Sequence, residues 1–285
     1  MINSLINFQQ FFSQHPLTHD RQIAAWGRLA WWQVRSRLKR EIIVPWVGGL
    51  SLAAHRGMSG ATGNIYAGLH EYCDMFFLLH FLRQGDLFFD VGSNIGSYSL
   101  LASGICGAES WAFEPDPETA RHLHRNIEIN DLKRLILVHE TALGDANGIA
   151  RFTRGLDTIN HIAAPGETDL REVRIQRIDS FAHTRCPNMM KLDVEGHEEA
   201  AICGALKTIS CPALKAIELE TLTPAILAIL EVSNFTRMYY DPRARQLTLE
   251  DNQLRSSNAL FVRDIDFVRQ RLAAAPAVKI LKQRI

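Results

Sequence analysis

The sequence predicts an α/β fold with a doubly wound, mostly parallel sheet of seven strands. Two observations carry this prediction. Apolar runs typical of strands buried on both faces alternate with segments of helical spacing, first at Leu87–Val91 and again at 110–114. The first run leads into a turn with two glycines four apart, Gly92 and Gly96, and then into a helical pattern. A strand, a glycine turn and a helix in this order form a ligand-binding edge at the carboxyl end of a sheet.

Composition places the chain among ordinary globular proteins and limits its partners. Of the 285 residues, 47% are hydrophobic and 22% are charged, which suits one large α/β domain with an appendage. Lys plus Arg and Asp plus Glu number 31 each, so no overall basic field is available to hold nucleic acid. We therefore expect no nucleic-acid partner.

The cysteines and the apolar runs predict the compartment. The five cysteines include no Cys-x-x-Cys pair and no zinc spacing with histidine, so buried free thiols in a reducing cytosol are expected. The first residues lack the pattern of a secretion signal, and no apolar run approaches the length of a membrane span. We expect a cytoplasmic protein without a transmembrane segment.

Residues 1–70 are predicted to be an N-terminal helical and loop extension, which also forms a lid, ahead of a domain at 71–285. The first twenty residues are polar with scattered Phe and Leu, and they are expected to be a loosely attached helix or disordered. Residues 42–52 predict two short strands joined through a glycine pair.

Two further segments of the extension have functional candidates. Residues 24–40 form a basic amphipathic pattern, whose tryptophan side can pack on the domain or make a peripheral contact with an anionic membrane. Residues 57–71 hold four glycines and predict a loop that closes over the site. Glu71, at the end of this loop, is its strongest functional candidate.

The polar residues of the glycine turn indicate which ligand it binds. Asp90 stands two residues before Gly92, and Asn94 stands two after it, where a dinucleotide fingerprint requires glycine. A carboxylate at Asp90 repels a pyrophosphate but suits the ammonium group of a bound amino acid. The turn, with Ser93 and Gly96, therefore favours S-adenosylmethionine (SAM) over NAD. An NAD-linked oxidoreductase is the alternative from another enzyme class.

The second predicted strand supplies the other half of a nucleotide site. It ends at Glu114, about twenty residues after the turn, where a carboxylate accepts hydrogen bonds from both ribose hydroxyls. Pro115 stops the strand at that acid. The same pattern is also compatible with an α/β domain that carries solvated acids at its strand ends.

The loop after the third predicted strand, 135–138, lies over the adenine in a doubly wound sheet. Backbone amides near Ala142 and the Asp145 carboxylate are candidates to read the adenine amino group, and a plain turn is the alternative. Alternating apolar and polar residues at 149–153 and 173–178 predict an inserted hairpin.

The segment between the two hairpin strands holds a candidate proton acceptor, His161. An imidazole titrates near neutrality, which suits a general base. His161 has Asp157 and Asn160 as polar neighbours in the sequence. It is a candidate general base, and a surface or packed histidine is the alternative.

The fourth predicted strand, 188–193, ends beside the first, at the crevice where the strand order reverses. Asp193 ends this strand, and Glu195 follows on the turn into the next helix. Paired carboxylates in a partly dry cleft raise one pKa, so one can accept a proton from a substrate hydroxyl while the other orients it. The alternative is that Glu195 only favours the helix N-terminus. Lys191 is predicted to pair with a nearby acid.

The fifth predicted strand, 214–220, carries Glu218 and Glu220 near its end. Together with Asp193, either acid can bind a divalent ion that positions a diol. No dense cluster of metal ligands supports this in the sequence, and we predict no metal. The remaining predicted elements include a helix at 224–232 and a pair of hairpin strands at 237–240 and 259–262.

Five blocks of the sequence resemble the FkbM family of methyltransferases. They lie between about residues 63 and 263, at 90–96, 113–115, Asn126 with Asn130, 142–145 and 191–198. The resemblance implies a class I, Rossmann-like methyltransferase fold with SAM as methyl donor. It also implies a hydroxyl acceptor on a sugar, a glycan or a secondary metabolite, and it supports an acid near Glu71.

These observations define one set of site residues. The predicted donor-binding residues are Asp90, Gly92, Ser93, Asn94, Gly96, Glu114, Pro115, Ala142, Asp145 and Asp193, and the predicted catalytic residues are Asp193, Glu195, His161 and Glu71. A protein that binds SAM without catalysis is the remaining alternative. The sequence does not indicate the oligomeric state.

Overall fold

The structure is a computed structural model, and it describes residues 2–155, 160–164, 166–183, 185–251, 254, 256 and 258–285. The side chains of residues 2–5 and of Ser59 are outside this description. Asp157, predicted as a neighbour of His161, also lies outside the described residues.

Helices and strands alternate along most of the described chain. The helices are α1 Ile2–Gln14, α2 Gln22–Leu38, α3 Ser59–Ala67, α4 Tyr72–Phe81, α5 Ser97–Gly104, α6 Pro117–Ile129, α7 Glu198–Cys203, α8 Leu206–Ser210, α9 Pro224–Val232 and α10 Ile265–Ala273. The strands are β1 Ile42–Pro45, β2 Ser51–Ala54, β3 Leu87–Val91, β4 Glu109–Phe113, β5 Ile136–His139, β6 Ala142–Leu143, β7 Gly148–Thr153, β8 Leu170–Gln176, β9 Met189–Leu192, β10 Ala216–Leu219, β11 Thr236–Asp241, β12 Gln246–Thr248, β13 Ala259–Val262, β14 Lys279–Ile280 and β15 Gln283–Arg284.

The largest sheet confirms the predicted α/β class. Its strand order is β12, β11, β13, β10, β9, β3, β4, β5, and the five strands from β10 to β5 are parallel. Strands β13, β11 and β12 join antiparallel at one end. The sheet has eight described strands rather than the predicted seven, because β12 pairs with β11 at the edge. Strand β12 has three residues and one buried side chain, Leu247, so its apolar pattern is too short to be recognised as a strand in the sequence.

Strand β3 is buried on both faces because helices cover both sides of the sheet. Phe88 packs into a core shared with α4, α5 and α6, whereas Phe89 packs on the other side with α7, α8 and α9. All five residues of β3 are buried. The strand order reverses between β3 and β9, so the crevice at their carboxyl ends opens beside the glycine turn.

The predicted inserted hairpin is confirmed. Strands β7 and β8 pair antiparallel, and β6 adds to β8 in parallel to make a separate three-stranded sheet. Phe152 and Val173 form the buried centre of this small sheet with Ala142. The insertion therefore stands beside the loop that follows β5.

Two asparagines, Asn126 in α6 and Asn130 directly after it, join the N-terminal hairpin to the main domain. Asn126 accepts a hydrogen bond from the Ala53 amide at 2.7 Å and donates to the Ile95 carbonyl at 3.0 Å. Asn130 accepts from the Ser51 amide at 2.8 Å. The predicted pair of strands, β1 and β2, is thereby fixed against the helix that follows Glu114.

Two expectations for the extension are wrong. The first twenty residues contain a helix, α1, as one expectation predicts, but this helix is not loosely attached, because Phe12 and Leu17 are 0% and 1% exposed and belong to the core. The segment expected to be a glycine-rich loop instead contains helix α3, which buries Ala61 and Ile65. Position 63 of this helix has no room for a side chain, because the His70 ring occupies the space that a Cβ would need. Glycine is therefore the residue that fits there.

The cysteine expectation is wrong for one pair. Cys186 and Cys211 form a disulfide, with their Cα atoms 6.6 Å apart, between the approach to β9 and the end of α8. Cys73, Cys106 and Cys203 are free, as expected. Within the described residues, no helix has the length and apolar character required to cross a bilayer.

Candidate functional site

The glycine turn brings two strands into backbone contact. Gly92 has a φ of +80°, and a Cβ there would overlap the carbonyl oxygen of Asp193. Gly96 has a φ of +89°, and a Cβ there would overlap the Leu123 side chain. Both positions therefore require glycine, since there is no room for a side chain and the left-handed backbone disfavours one.

Asp90 lies beneath this turn and is 2% exposed. Its Oδ2 accepts hydrogen bonds from the amide and the hydroxyl of Ser99, at 3.0 and 2.6 Å, which anchor α5 to β3. Burial raises the pKa of Asp90 to about 6, although Ser99 and Lys191 oppose the rise. Asp90 therefore organises the turn from below.

Glu114 is held rigidly at the end of β4. One carboxylate oxygen accepts a hydrogen bond from the Asn94 amide at 3.0 Å, and the other accepts from the Asp116 amide at 2.9 Å. Burial raises the pKa of Glu114 to about 8 in spite of these two bonds. Each oxygen keeps a further lone pair, so the carboxylate can accept hydrogen bonds from a ligand diol.

A first cavity, called cavity A, lies over the carboxyl ends of β3 and β4. It has a volume of about 50 Å³. One end lies at the glycine turn and the end of β4, and it is lined by Gly92, Asn94, Glu114 and Pro115. The other end is lined by Ala142, Leu143, Phe152, Ile162, Val194 and His197. The cavity thus has the Glu114 carboxyl group at one end and several apolar side chains at the other, a combination typical of small-molecule sites.

His197 is a residue of this cavity to which the sequence analysis assigns no role. Its Nε2 is buried in the wall of cavity A and makes no hydrogen bond within the described part of the chain. Burial lowers the pKa of His197, so the ring is neutral near pH 7. A buried polar atom without a partner is uncommon, and it marks a position where a ligand can form the hydrogen bond.

A second cavity, cavity B, lies between the sheet edge and the extension. It has a volume of about 260 Å³. The extension contributes Asn64 and His70, Glu71 follows at the start of α4, and the sheet edge contributes Asp193, Glu195 and Glu220. Asn64 also donates a hydrogen bond to Ser97 Oγ at 3.1 Å, which ties α3 to the start of α5.

Cavities A and B meet at the predicted site residues. Gly92, Asn94, Asp193 and Glu195 line both cavities. Glu114 lies in cavity A, and Glu71 lies in cavity B. The structure therefore brings the predicted carboxylates other than Asp145 to one continuous crevice.

Lys191 and its neighbouring acids form the electrostatic centre of cavity B. The Lys191 ammonium lies 2.5 Å from Asp193 Oδ2, as the predicted ion pair requires. Burial alone would lower the pKa of Lys191, but the carboxylates of Asp193 and Glu71 outweigh it and raise the pKa. Burial and a hydrogen bond shared with Asp193 raise the pKa of Glu220 to about 8. Asp193 and Glu220 consequently share one proton near neutral pH.

Glu195 and Glu71 add acceptors to cavity B. Burial, with the charges of Asp193 and Glu198, raises the pKa of Glu195. Glu71 accepts a hydrogen bond from Asn258 Nδ2 at 3.1 Å. Cavity B therefore combines several carboxylates with the donor groups of Asn64, His70 and Tyr98.

Asp193, Glu195 and Glu220 each place an oxygen within 4.8 Å of the others. Such a group has the ligand type that a divalent cation prefers. The Lys191 ammonium already supplies a positive charge to Asp193. The expected absence of a metal stays a prediction.

Three predicted residues line neither cavity within the described part of the chain, namely Gly96, Asp145 and His161. Asp145 is exposed. His161 Nε2 lies 3.0 Å from Glu167 Oε1. The roles assigned to Asp145 and His161 stay predictions.

Comparisons with known proteins identify the family to which the chain belongs. Residues 90–252 match the model of the methyltransferase FkbM domain. A hexuronic acid methyltransferase, AglP of Haloferax volcanii, is 27% identical over 130 residues, which are 45% of this chain and 53% of that protein. The chain therefore spans about half the length of this curated relative.

Solved structures are also similar to the chain. The methyltransferase FkbM of Methylobacillus flagellatus has a TM-score of 0.45 at 19% identity, over 70% of this chain and 52% of that one. A Streptococcus mutans protein has a TM-score of 0.40 at 12% identity, over 66% of this chain and 93% of that one. It is a methyltransferase by its description and was solved in complex with SAH.

The family match covers more than half of the chain and includes the glycine turn and most acids of the crevice. The chain therefore belongs to the FkbM methyltransferase family.

Proposed function

We propose that this methyltransferase uses SAM to methylate a hydroxyl group of a sugar or glycan. The observation that carries the proposal is the junction of cavities A and B at Gly92, Asn94, Asp193 and Glu195. A donor that extends from Glu114 to this junction would present its reactive carbon to an acceptor in cavity B.

The residues of the crevice fit SAM. The Glu114 carboxylate is held by two amides and can accept from both ribose hydroxyls. The unpartnered Nε2 of His197 lies at the adenine end, and the unpartnered Oγ of Ser93 lies at the turn, both within the described part of the chain. The acids of the crevice favour the cationic SAM over the anionic pyrophosphate of NAD.

When bound, SAM supplies a methyl group on a positively charged sulfur. The residues of the chain align the acceptor hydroxyl and remove its proton. We assign proton removal to the Asp193 and Glu220 pair, which lies at the junction and shares one proton. Glu195 and Glu71 orient the acceptor by accepting hydrogen bonds from its other hydroxyls.

The charge of cavity B also selects among sugar acceptors. AglP is named for a hexuronic acid, whose carboxylate is negative at neutral pH. Glu71 and Glu195 line cavity B here, and Lys191 is already paired with Asp193. We therefore propose an uncharged, hydroxyl-rich acceptor, and we expect a methyl glucoside to compete better than the matching glucuronide.

The test is transfer of a labelled methyl group. The protein is incubated with methyl-labelled SAM and a panel of neutral sugars and glycans, and the products are analysed by mass spectrometry for O-methyl groups. We expect label on a hydroxyl with the wild type and its loss with Asp193→Asn. SAM binding without transfer to any acceptor would favour the non-catalytic alternative.

A further inference from the structure

Helix α2 has two apolar faces, of which only one is covered. One face packs on the domain, which is one of the two arrangements expected for this helix. Its buried residues are Ala25, Leu29, Trp32 and Ser36. The opposite face is exposed along its length, with Ile23 at 91%, Val34 at 59% and Leu38 at 78%. An ordinary surface helix carries polar residues at these positions.

The exposed side chains form a continuous stripe. The stripe consists of Ile23, Trp31, Val34 and Leu38. Successive members are eight, three and four residues apart, and these intervals place all four on one side of a helix. Gly27 lies on the same side, and nothing lies within 4 Å of the position that its Cβ would take. Trp31 is 38% exposed because it lies beside the β1–β2 hairpin, whereas Ile23, Val34 and Leu38 are more than half exposed.

Basic residues border the stripe. Residues 21–40 include five arginines and one lysine but no acid, whereas the whole chain has no net charge. Arg28 is turned inward to the Tyr66 carbonyl at 2.7 Å. Arg35 lies over the exposed Trp31 ring at 5.3 Å, and the exposed cations of the segment's end are Arg35, Arg37, Lys39 and Arg40.

We propose that the outer face of α2, defined by Ile23, Trp31, Val34 and Leu38, docks on an anionic lipid bilayer. The apolar stripe enters the interface, and the surrounding cations attract acidic headgroups. Charge complementarity favours this occupant over a second copy of the chain, because two identical basic faces repel each other. The face is distinct from the crevice, since none of these four residues lines cavity A or cavity B.

The test is sedimentation of the full chain with lipid vesicles. Wild type is expected to bind vesicles of equimolar phosphatidylglycerol and phosphatidylcholine, but not vesicles of phosphatidylcholine alone. The double variant Val34→Asp with Leu38→Asp is expected to lose binding by about tenfold or more, because charge opposes insertion of the stripe. Added salt is expected to weaken binding of the wild type.

Val232→Asp is the matched control, since Val232 is 85% exposed on α9. It is expected to bind as the wild type does, and all variants are expected to retain SAM affinity. Equal binding by the double variant and the wild type would overturn the proposal. A wild type that ignores anionic vesicles but dimerises through this face would overturn it as well.

Discussion

Asp90 is a buried carboxyl group that lines the candidate site and bears on the stability of the fold. It is enclosed beneath the glycine turn, where burial disfavours its charged form. Ser99 compensates only in part, through two hydrogen bonds to one oxygen. The carboxyl group therefore costs stability at a place where it faces the crevice, as residues of functional sites often do.

Asp90→Asn is expected to stabilise the protein above pH 6. The folded pKa is raised from 3.8 to about 6, so the stability associated with the protonated form is present at low pH and is lost as the pH rises through 6. The variant avoids this loss, which is on the order of 2 kcal/mol. Urea unfolding at pH 4 and pH 8 measures the free energy of unfolding of both proteins. If the variant and the wild type differed by the same amount at both pH values, the raised pKa of Asp90 would be contradicted.

Glu220→Gln is expected to lower kcat by about 10²-fold, since it removes one member of the proton-sharing pair. In the wild type, kcat/KM is expected to rise with pH up to about 8, the value to which burial and Asp193 raise the pKa of Glu220. The variant is expected to lose this rise. Glu231→Gln, at an exposed acid of α9, is the control and is expected to keep the wild-type profile.

At the scale of elements, close contacts fix the crevice. The turn after β3 reaches the carbonyl of Asp193 without room for a methyl group, so β3 and β9 hold the two halves of the site together. The extension belongs to the same core. Phe12 packs edge-on against Trp26 of α2, with ring centroids 5.3 Å apart.

Gly92→Ala is expected to destabilise the protein on the order of 3 kcal/mol, from the backbone clash and the left-handed φ. Denaturant unfolding measures the loss, and SAM affinity is expected to fall with it. Gly27→Ala is the control, because nothing lies near that position in α2. It is expected to raise stability by about 0.5 kcal/mol, and a similar loss in both variants would contradict the account.

Phe12→Ala tests whether the extension is part of the core. Phe12 is fully buried, so its truncation is expected to cost about 3 kcal/mol or more. Ile6, on the same helix, is 58% exposed, and Ile6→Ala is expected to change stability by less than about 0.5 kcal/mol. Thermal unfolding compares the two, and a neutral Phe12→Ala would show a loosely attached helix.

At the scale of the whole molecule, local sequence patterns predict the parallel sheet and the residues at the carboxyl ends of its strands. Buried strands and glycine turns are short-range signals, and Gly92, Glu114 and Asp193 could be placed from them. Helix α3 was missed because Gly63 within it is matched to a ring outside the helix, that of His70. The disulfide and the unpartnered Nε2 of His197 likewise depend on contacts between described elements, which sequence spacing does not encode.

The most direct measurement is calorimetric titration of the chain with SAM and, separately, with NAD. We expect binding of SAM, no binding of NAD, and loss of SAM binding in Glu114→Ala. The Glu231→Gln control is expected to bind as the wild type does. Binding of NAD alone, or SAM affinity unchanged by Glu114→Ala, would contradict this expectation.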